Sequence, residues 1–125
     1  MSTIALTFGD TVKSFPLLSQ NPSVKVQKAI RRILEQTASE IVAKLRIPGR
    51  DYNDRTFNLR KSWRRRRMRG YKYKVWSDAE YASFIENGTI HISARKMLHR
   101  EIYNARFRLR RRLKALSNKV ERGRL

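Results

Sequence analysis

The stretch SVKVQKAIRRILEQTASEIVAKLR, residues 23–46, decides how the rest of the chain must be arranged. Val26, Ala29, Ile30, Ile33, Leu34, Thr37, Ala38, Ile41, Val42 and Leu45 recur at helical spacing and form one stripe. Lys25, Lys28, Arg31, Arg32, Glu35, Gln36 and Glu40 fall largely on the other face. Ser23 offers an N-cap hydroxyl, and Pro48 and Gly49 end the helix near Arg46. A helix with one apolar stripe must bury it against another layer, so the flanking segments are read for that layer.

Toward the C-terminus a second stripe matches the first. Leu98, Ile102, Ala105, Leu109, Leu113, Leu116 and Val120 repeat at intervals of three or four, behind Ser93 as cap. Glu121 to Leu125 read as a frayed tail. Between the helices, Tyr71-Lys72-Tyr73-Lys74-Val75 alternates, which predicts one long strand or a hairpin over 65–77 with its turn near Arg69-Gly70. Thr56 can cap a short helix from Phe57 to Trp63, after a turn-rich loop over 47–55. Ser77 or Asp78 can cap another over Ala79 to Asn87, which Gly88 ends before the extended Thr89-Ile90-His91-Ile92. Toward the N-terminus, Thr3 to Phe8 alternates and stops at Gly9-Asp10, a strand and turn. Residues 11–22 read as a loop with at most a helical turn at Val12 to Phe15. The expected class is α+β, with two long amphipathic helices packed on one face of a small antiparallel sheet, in a single domain spanning 1–125.

Composition narrows the function classes. The 125 residues hold 30 Lys or Arg against 10 Asp or Glu, a formal charge of +20. At 40 % hydrophobic residues the chain can build a core, which argues against a wholly disordered basic tail. The absence of cysteine excludes a disulfide scaffold, a thiolate zinc site and a cysteine nucleophile. No run of about 18 apolar residues predicts a membrane span, and Met1 to Phe8 lacks the pattern of a signal peptide. The charge is uneven: residues 1–55 carry 9 basic and 5 acidic groups, residues 56–125 carry 21 and 5. Two runs concentrate it, one with Arg60, Arg64, Arg65, Arg66, Arg67 and Arg69, the other with Arg106, Arg108, Arg110, Arg111 and Arg112. Arginine outnumbers lysine by 20 to 10, and its planar fork suits fixed contacts with phosphate or carboxylate.

Catalytic patterns are thin. His91 and His99 are the only histidines, too few for a zinc site without other clustered ligands, so no metal or cofactor is expected. No nucleophile elbow, phosphate loop or dinucleotide fingerprint occurs, so no catalytic residue is assigned. Asp78, Glu80 and Glu86 could hold a metal in a nuclease, but capping and the helix dipole explain Asp78 and Glu80 more simply. Trp63, Tyr71, Tyr73 and Trp76, set among cations, could stack bases over a basic groove; they equally describe a strand with one packed face. A sequence-independent nucleic-acid-binding protein needs only the charge.

The order of three further segments resembles a known family. Thr56-Phe57-Asn58-Leu59-Arg60-Lys61-Ser62 follows the first long helix, Tyr81-Ala82 precedes Glu86-Asn87-Gly88-Thr89, and Ser93-Ala94-Arg95-Lys96-Met97-Leu98 opens the last helix. Over residues 24–116 this resembles the neck, head–tail connector or tail-completion proteins of long-tailed, lambdoid-type bacteriophages. Leu59, Ser62, Tyr81, Ala82, Glu86, Gly88 and Thr89 carry the resemblance, while Phe57 and Lys96 stand where that family has glycine and proline. The resemblance implies a non-enzymatic virion protein made in the host cytoplasm, similar in fold to tail-tube and tail-terminator proteins. It also implies a ring, commonly of six copies, between the head connector and the tail terminator or tail tube, through which DNA passes. Head-to-tail ring contacts need complementary patches, and the two arginine runs with Arg95 suit acidic faces of neighbours or nonspecific contact with packaged DNA. A wholly basic lumen would hold DNA that must slide out, which favours the acidic neighbours.

Overall fold

A computed structural model of the chain describes residues 4–46, 62–77 and 97–125. Strand β1 (Ile4–Phe8) leads through Gly9 into a 3-10 turn over Asp10–Ser14 and the short helix α1 (Pro16–Ser19). Helix α2 (Val24–Leu45) follows, then β2 (Trp63–Arg67), β3 (Tyr73–Ser77) and helix α3 (Met97–Glu121). The sheet runs β1-β3-β2, antiparallel at both pairings, so the last strand in sequence lies in the middle. The class is α+β, with helices packed on a small antiparallel sheet.

The two stripes read from the sequence are the core. Ser23 Oγ accepts from the Val26 amide at 3.2 Å and starts α2 as its capping position predicts. Val26, Ile30, Leu34, Thr37, Ala38, Ile41, Val42 and Leu45 are buried along α2. Leu98, Ala105, Leu109, Leu113 and Leu116 are buried along α3, with Ile102 and Val120 packed beside them. The helices run antiparallel. Ile41, Val42 and Leu45 meet Leu98 and Ala105 beneath Trp63 and Val75, while Val26, Ile30 and Leu34 meet Leu109, Leu113 and Leu116.

Three local expectations change. Residues 16–19 form helix rather than loop: Pro16 takes the first helical position, where its fixed φ is favourable, and Leu18 is driven fully into the core. Trp63 does not extend the short helix expected before it; it opens β2 opposite Ser77 and is fully buried, so strand pairing and burial decide its place. The chain end, read as frayed, is closed. Helix α3 reaches Glu121, Gly123 takes φ 67°, and Arg124 and Gly123 donate back to the Lys119 and Val120 carbonyls at 2.9 and 3.1 Å, a Schellman motif. The hairpin forms as expected, with Gly70 at φ 76° between β2 and β3. The helix expected over 79–87, the extended piece 89–92, the loop 47–55, the Thr56 cap and the Ser93 cap lie outside the described residues.

Candidate functional site

Strand alternation sorts the first arginine run onto two faces. Trp63, Arg65 and Arg67 stand opposite Ser77, Val75 and Tyr73, the buried positions of β3, and so share the helix-covered face. Arg64 and Arg66 stand opposite Trp76 and Lys74 on the outer face, where the Lys74 ammonium sits 5.1 Å from the Trp76 ring centre. On the inner side, Arg65 donates through Nε and Nη2 to Glu35 Oε1 of α2, at 2.9 and 2.8 Å. Partial burial would raise the Glu35 carboxyl, but hydrogen bonds from the Tyr73 hydroxyl and from Arg65, with the Arg65 charge, hold it below the ordinary range. Burial, reinforced by Glu35, pushes the Tyr73 phenol up to about 12.

The second run is divided in the same way by the helical period. Arg108 and Arg112 lie one turn apart on α3 and face α2. Arg108 Nε donates to Glu40 Oε2 at 3.0 Å, while Arg112 donates to Glu40 Oε1 and, at 3.0 Å, to Thr37 Oγ1. Burial again acts to raise Glu40, and Arg112 and then Arg108 outweigh it, leaving the carboxyl lowered. Arg106, Arg110 and Arg111 are exposed, with no acidic partner among the described residues. Arg106 lies 5.3 Å from the Tyr103 ring, which meets Phe107 edge-on at 5.4 Å. These two aromatics are more than half exposed, a surface feature the sequence reading passed over; the signal was that both fall off the leucine stripe.

Several residues weighed from the sequence change standing. Trp63 and Tyr73 are core, so neither is a platform for bases, and Tyr71 packs against the core as well. Trp76 is half-buried on the outer sheet face. Arg69 is exposed in the hairpin turn. Ser62 shares a hydroxyl–hydroxyl hydrogen bond with Ser77 and so ties the start of β2 to the end of β3. Leu59, Arg60, Asp78, Glu80, Tyr81, Ala82, Glu86, Gly88, Thr89, His91 and Arg95 lie outside the described residues. Among the described residues, no three His, Asp or Glu gather where they could hold a metal, and no helix is long and apolar enough to cross a membrane.

The structure also brings together cations that the sequence does not place side by side. Arg46, at the end of α2, donates through Nη2 to the Trp63 carbonyl at 2.7 Å, and Arg64 Nη1 reaches the same oxygen at 3.2 Å. Arg46, Arg64, Arg65, Arg66 and Arg67 thereby line one cleft of about 340 Å³ between α2 and β2, with Glu35 as its only carboxylate among the described residues. Such a site favours carboxylate or phosphate.

Comparison with known proteins gives one positive result. Residues 18–88 match the model of the family described as "Bacteriophage HK97-gp10, putative tail-component". Comparisons with curated proteins and with solved structures gave no significant match. The matched span takes in the second half of α1, all of α2, and the β2–β3 hairpin with its arginine cleft, and it stops short of α3. It covers more than half of the 125 residues, and the chain therefore belongs to the HK97-gp10-like family of phage tail components.

Proposed function

We propose that this protein is a structural subunit of the phage neck, one copy in a ring that joins the head connector to the tail and lets DNA pass. One domain spanning the chain suffices for that role, and no chemistry is required of it. Family membership supports a structural place in the virion. The observation that carries the neck reading further is the sorting of the arginines. Arg65 is paired with Glu35 at the surface and Arg108 and Arg112 with the partly buried Glu40 within the chain, while Arg66, Arg69, Arg106, Arg110 and Arg111 project outward with no acidic partner among the described residues. A ring concentrates that outward charge, and acidic faces on the neighbouring connector and tail proteins would offset it.

Charge reversal of the outward set alone tests this reading. With Arg106, Arg110 and Arg111 changed to Glu in the phage, filled heads and finished tails should accumulate unjoined. Full, tailed particles at normal yield would overturn it. Negative-stain images of the purified protein should show closed rings, whereas a monomer that only coats DNA would speak for a nucleic-acid-binding protein instead.

A further inference from the structure

Among the described residues strand β2 is an edge of the sheet, and its backbone pattern can be read from two hydrogen bonds. The Met68 amide donates to the Lys72 carbonyl at 2.8 Å, so even-numbered residues of this strand turn their peptide groups toward β3. The Trp63 carbonyl is taken by Arg46 from the other side. Residues of one parity share a direction, so the amides and carbonyls of Arg65 and Arg67 point away from β3. Among the described residues nothing pairs with them. Side chains alternate in the complementary sense: Arg65 and Arg67 on the helix side, Arg64 and Arg66 on the other. The open edge is thus flanked by arginine on both faces and opens into the cleft with Arg46.

An exposed edge is a template for another strand, and charge at the edge decides which strand is accepted. A second copy of β2 would set arginine against arginine and is refused. We infer that the Arg65–Arg67 edge takes an extended acidic segment of an adjoining virion protein as a fourth strand. Its backbone would bond to the free groups of Arg65 and Arg67, and its Asp or Glu side chains would meet Arg64 and Arg66 on one face and Arg67 and Arg46 on the other. The duplex backbone fits less well: phosphates satisfy the guanidinium groups but supply no amide donors to the open carbonyls. The inference rests on the assembly role proposed above for the source of the segment, not for its chemistry.

The test uses the full chain with a capped peptide of the repeat threonine-glutamate-glutamate, which places acids on both faces of a strand. Binding is read by fluorescence anisotropy at near-physiological salt, and amide hydrogen exchange is read at Arg65 and Arg67. The peptide should bind and slow exchange at those two amides. Arg66→Glu with Arg67→Glu should weaken binding by about tenfold or more while circular dichroism is unchanged. A peptide N-methylated at alternate amides keeps its charge and should lose the protection on the unaltered chain. No binding, binding without protection, or equal binding of the N-methylated peptide would each overturn the inference. A short DNA duplex that protects the same amides and displaces the peptide would overturn it in favour of nucleic acid. Ring formation is scored separately: rings that ignore the peptide reject the edge site alone, and a peptide-binding chain that never forms rings rejects the neck ring alone.

Discussion

Glu40 is the residue on which the two long helices are pinned. One carboxylate takes both Arg108 and Arg112, and Thr37, itself donating to the Ile33 carbonyl at 2.9 Å, takes the second arm of Arg112. The three side chains of that pair of bridges are about 70–76 % shielded, so the bonds are less screened than those of exposed pairs. Glu40→Gln should lower stability by roughly 2 kcal/mol in urea unfolding, since it leaves two arginines without their counter-charge. The same contact sets an acid limb. The folded-state pKa values of Glu35 and Glu40 lie below the free value of 4.5, so the folded protein binds fewer protons than the unfolded chain in that window. Their contribution is full above about pH 4.5 and is lost as pH falls through the folded values. Unfolding midpoints measured downward from pH 6 should drop below that point, and the drop should shrink in Glu40→Gln. At the turn after β1, Gly9 has φ 121°, and an added Cβ would lie 2.0 Å from the Tyr71 carbonyl oxygen. Gly70, at φ 76°, faces open space. Gly9→Ala should therefore cost roughly 3–4 kcal/mol, and Gly70→Ala only about 1–2 kcal/mol, by thermal unfolding.

Helices α2 and α3 were legible in the sequence because their periodicity is a local property, repeated over many residues. The cap at Ser23 and the hairpin at Gly70 were legible for the same reason. What could not be read locally is which arginine meets which acid. Arg108 and Arg112 belong to one run with Arg106, Arg110 and Arg111, and only the register of α3 on α2 divides them. Trp63 failed as a helix end because its fate is set by Ser77 across the sheet, beyond any window that begins at Thr56. Each half of the second run has its own test. Leu109→Ala, inside the stripe, should cost about 2–5 kcal/mol. Phe107→Ser, on the exposed face, should change stability by less than about 1 kcal/mol, by chemical denaturation.

At the scale of the whole molecule, +20 is spread over a surface where few acids answer it. Among the described residues Glu35, Glu40, Asp10 and Glu101 take part in ion pairs, and the partners of the first two are shielded or two-point contacts. Net repulsion therefore opposes the compact state more than screening could cost the internal pairs. Raising sodium chloride from low concentration to about 0.3 M should raise the melting temperature, contrary to the behaviour of a fold held by ion pairs. The match to the tail-component family ends before α3, so the exposed Arg106, Arg110 and Arg111 with Tyr103 and Phe107 are the part of the surface beyond the shared span.

The placing of β3 between β1 and β2 has a temporal consequence. β2 and β3 are neighbours along the chain and can zip together as soon as both have been synthesised, whereas Phe8 must wait for Tyr73 and Ile4 for Ser77. The first strand to leave the ribosome is then the last to find its place in the sheet, since closing the longer loop costs more chain entropy. Until it docks, the far side of β3 is uncovered. In an infected cell filling with copies of one chain, that interval is when neighbours could join through the wrong edge, and the like charges of the nascent chains keep them apart while it lasts.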